Sequence, residues 1–212
     1  MEDDLYIIGT GGLAREIADM LPNSNLSNFN FRGFISESNN QVGDRLSGHK
    51  IVGSDLKLPF IKGDIVILVI AIGLASVRLK VAHKYQKLEK ARFPNVIDNT
   101  VRVSKSVTCG QGNLFLFNSF ISSQVVIGNF NLFNWHATLG HDVKIGSGCI
   151  VNPHAHISGH VVLQNNILIG AGAAILENLR ISSNVLIGAG AVVTKDLDSL
   201  GVYVGVPAKL KS

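Results

Sequence analysis

Five of the seven histidines fall between positions 136 and 160: His136, His141, His154, His156 and His160. One of them, His141, is followed directly by an acid, Asp142. A neutral imidazole near pH 7 suits removal of a proton from an amine or hydroxyl nucleophile, and an adjacent carboxylate holds its tautomer and stabilises the imidazolium. Neighbouring side chains on an extended strand diverge, so this pair can act together only at a corner of the backbone. The same histidines are candidate metal ligands, with His136 five residues before His141. A second candidate group lies near the start, where Gly9-Thr10-Gly11-Gly12 joins the apolar run Leu5–Ile8 to a helical pattern. Glycines there turn the chain tightly and bring amides close to an anion at the positive end of a helix. Gly9, Gly11 and Ala14 fit the form Gly-x-Gly-x-x-Ala, which is weak alone, since a turn that merely packs strand on helix uses the same residues.

The element that must position the histidines is a six-residue repeat running without insertion from Val101 to Leu197. From Val103 to Val193 the third position of each six is apolar or cysteine, and the first is mostly small or apolar. That period is neither 2 nor 3.6. Two inward positions per six, followed by Gly or Asn, suit a short strand and a turn; three such units per coil build a triangular parallel β-helix of about five coils. His141 then occupies the fifth position of its six, outside both inward rows, where a side chain faces either a cleft or solvent. His156 stands beside an inward row and reads as a packed or hydrogen-bonded residue. Cys109 and Cys149 fall on inward rows and read as reduced core thiols. The ends of such a prism need covers; the segment before the repeat and the tail after Leu197 are expected to supply them.

Before the repeat, Leu13, Ile17 and Leu21 give a helix stopped by Pro22, Phe31 to Ile35 gives a second strand, and Ile65 to Ile72 ends at Gly73 as a strand buried on both faces. A helix is expected from about Ser76 to Lys90, with Val77, Val81, Tyr85 and Leu88 on its apolar side. Residues 1–97 thus read as a shortened Rossmann-like βαβ domain, residues 98–198 as the β-helix, and residues 199–212 as a closing tail. At the end of the second strand, Glu37, after Ser36, is placed to meet a ribose.

Composition narrows the partners. The chain has 212 residues, 46% hydrophobic and 16% charged, so it folds around a core and is not disordered. A net charge of +4 with scattered basic residues suits an anionic small molecule and does not call for nucleic acid. The Glu2-Asp3-Asp4 opening lacks the basic region of a secretory leader, and the longest apolar run, near Ile65 to Ala71, is too short to span a bilayer. A cytoplasmic location without membrane partners is expected.

Gly9-Thr10-Gly11-Gly12, Ala71-Ile72-Gly73, Gly140-His141-Asp142 and Gly205-Val206-Pro207-Ala208-Lys209 together carry a resemblance. Across essentially the whole chain the sequence resembles the sialic-acid-type and bacillosamine-type sugar acetyltransferases, with a small Rossmann-like domain before a left-handed parallel β-helix. The resemblance implies a homotrimer whose active sites lie between protomers, with acetyl-CoA along the groove between adjacent prisms. It also implies a nucleotide-linked amino sugar held by the first domain. By the same resemblance, His141 is the general base and Asp142 its orienting acid. Gly159, Ala171 and Ala189 match backbone contacts to the cofactor, and Pro207 and Lys209 belong to the tail folding over its adenine end. Ile150 stands where relatives place a histidine against coenzyme A, so an apolar contact or none is expected there. Gly9, Thr10, Gly11, Gly12, Ser36, Glu37 and Gly73 match the acceptor site. Relatives carry two aspartates in place of Ser36-Glu37, and asparagines in place of Leu74 and Ala75, which opens the identity of base and sugar. Metal-binding relatives of the fold use two histidines five apart and a third two coils earlier; that position is Thr100, so no metal is expected.

The leading expectation is N-acetylation of a nucleotide-linked amino sugar for a surface glycan. The alternatives are O-acetylation of a sialic-acid-type sugar and a trimeric β-helix that binds a nucleotide-sugar without catalysis.

Overall fold

In the computed structural model the chain divides into two compact units, Met1–Val96 and Ile97–Ser212. The structure describes residues 3–59 and 65–211, so Met1 and Glu2 of the acidic opening and Ser212 of the tail lie outside it.

The first unit is a mostly parallel sheet. Its strands are β1 (Asp4–Ile8), β2 (Asn30–Ser36), β3 (Arg45–Leu46), β4 (His49–Ser54), β5 (Val66–Ile70) and β6 (Ala91–Arg92), in the order β3-β4-β2-β1-β5-β6. β5 is buried along its whole length and β1 from Leu5 to Ile8, as two-face coverage of a parallel sheet requires. Helix α1 (Gly12–Met20) follows β1 and buries Ala14, Ile17 and Ala18. Because β2 and β5 flank β1 on opposite sides, the carboxyl ends of these three strands open at a switch point, where Gly9, Ser36 and Ala71 emerge. Helix α2 (Ala75–Tyr85) ends five residues short of the expected Lys90. Its buried face is Ala75, Arg78, Ala82 and Tyr85; Val77 is exposed and does not join the core. The hairpin β3–β4 was not evident from sequence. Its turn uses Ser47 and Gly48, both at positive φ.

In the second unit the repeat forms the parallel β-helix. Two-residue strands fall on the second and third positions of each six and pair eighteen residues on, so that Phe120 faces Thr138, His156 follows, and Ala174 after that. One face has six rungs, from Arg102–Val103 to Val192–Val193, and another has five. First- and third-position residues are buried from the second coil onward, except Leu179, which is partly buried. Every sixth residue from Gly112 to Gly190 has a positive φ, including His136, Asp142, His154 and His160. Each six therefore closes on a left-handed residue, which is why Gly and Asn recur there. Inside, Asn113 and Asn131 form a ladder: the Asn131 side-chain amide donates to Asn113 Oδ1 at 3.0 Å, and the Cys149 N–H donates to Asn131 Oδ1 at 2.7 Å. Phe115 and Phe133 stack at 4.8 Å.

One core expectation fails. Cys149 is buried, but Cys109 is exposed, as is Val103 at 38%. Both lie on the first rung of their faces, where no further coil stacks above them. The other end is closed: Val202–Val204 adds a parallel rung to Leu186–Ile187, and Lys209–Leu210 folds back antiparallel against it. Tyr203 and Ala208 thereby join the core, and the Tyr203 hydroxyl donates to the Ser199 carbonyl at 2.9 Å.

Candidate active site

His141 and Asp142 stand on one corner of the prism. Asp142 has φ 59°, and this left-handed turn swings its carboxylate under its neighbour, so that His141 Nδ1 lies 2.9 Å from Asp142 Oδ2. With Nδ1–H donating to the carboxylate, Nε2 keeps the lone pair a base needs. The histidine side chain is 57% exposed and reachable by a substrate. Gly159, one coil on, lies beneath the ring, where a Cβ would come within 2.8 Å of Cε1 and 2.9 Å of Nε2. Its N–H has no acceptor among the described residues and is available to an oxyanion.

The other histidines separate by corner. His136 stacks on His154 with ring centroids 4.7 Å apart, on the corner column that also holds Thr100 and Asn118. His136 and His141 therefore do not converge within one chain. His156 Nδ1 meets Thr138 Oγ1 at 2.6 Å, as a hydrogen-bonded face residue. His160, one of the candidate metal ligands of the sequence, lies one coil from Asp142 with Nε2 4.0 Å from Oδ2. The eighteen-residue coil spacing is the signal that places it there.

The residues matched to the cofactor do not form one cluster. Ala171 and Ala189 share a corner, where the Gly190 N–H donates to the Ala171 carbonyl at 2.9 Å; Gly159 belongs to the His141 corner. Ile150 is 3% exposed between Leu132 and Leu168, and its N–H is taken by the Ile167 carbonyl, so its side chain is closed to a ligand. Pro207 follows a cis peptide bond and is exposed; Lys209, in the returning strand, is also exposed.

The acceptor residues come together in the first unit. A pocket of about 680 Å³ is lined by Gly9, Thr10, Gly11, Gly12, Ser36, Glu37 and Gly73. Its floor requires Gly9: φ is +119°, and a Cβ would stand 2.7 Å from the Ala71 carbonyl oxygen. The Thr10 hydroxyl donates to Gln41 Oε1 at 3.1 Å. Ser36 is buried, and its hydroxyl donates to the Ser38 carbonyl at 2.5 Å, leaving the exposed Glu37 as the side chain free to turn to a ligand. Sequence reasoning missed Asp55, Lys80 and Lys84, which also line the pocket. Val77, Lys80, Val81 and Lys84 are spaced three and four apart, so one face of α2 presents them together. Asp55 holds Lys84 at 3.0 Å and accepts from the buried Tyr85 hydroxyl at 2.5 Å. Burial and the Asp55 carboxylate push the Tyr85 pKa up.

The fold and site resemble those of a class, the sugar acetyltransferases with a hexapeptide-repeat β-helix. More particularly, residues 4–85 match the PglD N-terminal domain. Over 99% of the chain, and 97% of the other, it is similar to perosamine N-acetyltransferase from Caulobacter crescentus. That structure is of a histidine-to-asparagine variant in complex with CoA and GDP-perosamine, at 27% identity and a TM-score of 0.90. WeeI from Acinetobacter baumannii AYE is similar at 26% identity and a TM-score of 0.88, over 98% of this chain and 99% of that one. The acetyltransferase domain of PglB from Neisseria gonorrhoeae FA1090 shares the fold at 24% identity and a TM-score of 0.90, with both chains covered completely. No curated protein sequence matches the chain. No helix among the described residues is long and apolar enough to cross a membrane.

Proposed function

We propose that this protein transfers the acetyl group of acetyl-CoA to the amine of a nucleotide-linked amino sugar, with His141 as general base. The observation that carries this reading is the 2.9 Å contact between His141 Nδ1 and Asp142 Oδ2 on an exposed corner. The similarity to an enzyme solved with CoA and GDP-perosamine supports the donor and the acceptor class.

The sugar amine attacks the thioester carbonyl, and its proton passes to His141 Nε2 while Asp142 stabilises the imidazolium. The Gly159 N–H faces the developing oxyanion. Collapse of the tetrahedral intermediate expels the coenzyme A thiolate, which takes the proton back as the amide forms. The first unit binds the nucleotide: the glycine loop and Lys80 meet its phosphates, and Glu37 its ribose. Ala171, Ala189, Pro207 and Lys209 contact coenzyme A in a homotrimer whose groove brings corners of two protomers together. The reaction belongs in the cytoplasm, where acetyl-CoA is made, and supplies a surface glycan.

The test is thiol release from acetyl-CoA against a panel of nucleotide-linked amino sugars. Turnover with at least one amine, reduced by about 10²–10⁴-fold in His141→Ala, is expected. Undiminished turnover in that variant, with its assembly intact, would remove His141 from the mechanism. Silence on every amine, with release on a sialic-acid-type hydroxyl, would replace N- by O-acetylation.

A further inference from the structure

The corner that carries the base and its acid also carries His160, which the acyl transfer does not use. His141, Asp142 and His160 each offer one ligand atom, and these atoms all lie within 4.8 Å of one another. His141 Nδ1 is 2.9 Å and His160 Nε2 4.0 Å from Asp142 Oδ2, and the two rings stand nearly perpendicular, at 85°, with centroids 5.0 Å apart. Donors around one four-coordinate ion with bonds of about 2.1 Å are separated by about 3.4 Å, in the middle of these distances. Small side-chain rotations suffice, because the coil spacing fixes the backbone: the His160 N–H donates to the His141 carbonyl at 3.0 Å.

We propose that this corner captures a divalent transition ion such as Zn²⁺, and that the captured ion switches off the base. Two imidazoles and one carboxylate select zinc-like ions over magnesium or calcium, which prefer all-oxygen shells. All three side chains are substantially exposed, which leaves an entry path and an open position for water. Inhibition follows from counting lone pairs. A neutral imidazole has one, so an ion on His141 Nε2 consumes it; an ion on Nδ1 moves the ring proton to Nε2. Either way His141 can accept no proton. The capture step stands on geometry alone, whereas the inhibition rests on His141 acting as base.

The experiment begins without substrate. Chelator-treated, dialysed full-length protein is titrated with Co²⁺, reading its visible d–d bands and their displacement by Zn²⁺. One ion per chain is expected, with affinity reduced by more than about tenfold in His160→Asn and unchanged in His136→Asn. Asparagine suits the left-handed corner, so His160→Asn preserves the fold. Unaltered binding in His160→Asn, or loss in His136→Asn, overturns the site. Zn²⁺ should then inhibit acetyl transfer, with an inhibition constant raised by more than about tenfold in His160→Asn. A bound ion that leaves turnover untouched overturns the inhibitory half, and it counts against His141 as base without touching the site.

Discussion

The imidazole of His141 rests against Gly159, the residue one coil further on at the same corner, and a Cβ there would reach within 2.9 Å of Nε2. The atom in the way is the end of a side chain, so a bulkier residue moves the histidine and spares the coil. Gly159→Ala is therefore expected to unfold at nearly the wild-type temperature while kcat falls by about 10²-fold, the cost of a misplaced catalytic group. Thermal melts and steady-state rates check this together; an unchanged kcat would show that the ring's position is not set by Gly159.

Asp142 acts through His141. Asp142→Asn keeps the shape of the corner but offers an amide where the carboxylate stabilised the imidazolium. It should lower kcat by about 10²–10⁴-fold with little change in the KM for either substrate. A loss confined to KM would instead assign Asp142 to binding.

Lys80 lines the pocket of the first unit with no ion pair among the described residues, whereas Lys84 is held by Asp55. Lys80→Ala should raise the KM for the nucleotide-sugar by about 10–100-fold, the worth of a charged hydrogen bond, and leave the KM for acetyl-CoA in place. Equal effects on both substrates would contradict a phosphate contact.

Tyr85 gives a pH signature. Its folded pKa is raised by burial and by Asp55. The stabilisation this brings is full below the unfolded value of about 10 and is lost as pH rises above it, where only the unfolded chain ionises. Tyr85→Phe should cost about 1.5–3 kcal/mol at neutral pH and lose less than wild type on the alkaline side. Urea midpoints across that range measure both, and parallel pH curves would refute the assignment.

The two cysteines should differ in reactivity. Cys109 is exposed, yet partial desolvation raises its pKa, so alkylation in the native state should be slower than for an ordinary surface thiol. Cys149 should react only on unfolding. Labelling wild type and Cys109→Ser with mass detection decides this; fast native labelling of Cys149 would mean the coil opens.

The β-helix was legible because every six residues restate it: an apolar third position and a turn residue at the sixth leave one way to bury the chain. The same phase put His141 at a corner. The α2 surface is not legible in the sequence, because an apolar stripe at helical spacing predicts a core-facing side. Arg78, fully buried and donating to the Ile72 carbonyl at 2.8 Å, occupies the core face in its place. That turns Val77 and Val81 toward the pocket. Hairpin β3–β4 was hidden by its polar residues, His49 and Lys50 among them. Cys109 misled because a repeat position predicts burial only when coils stack on both sides. His160 required comparing sixth positions across coils, a step beyond reading each six alone.

The returning strand Lys209–Leu210 has one further consequence. A parallel prism is an unfinished crystal in one dimension: its last rung offers a template to the first rung of another copy. By reversing direction, this strand presents an antiparallel edge, and Tyr203 and Ala208 plug the bore beneath it. An incoming parallel coil meets mismatched donors and acceptors on that face, so growth into a filament is blocked at this end by a few residues.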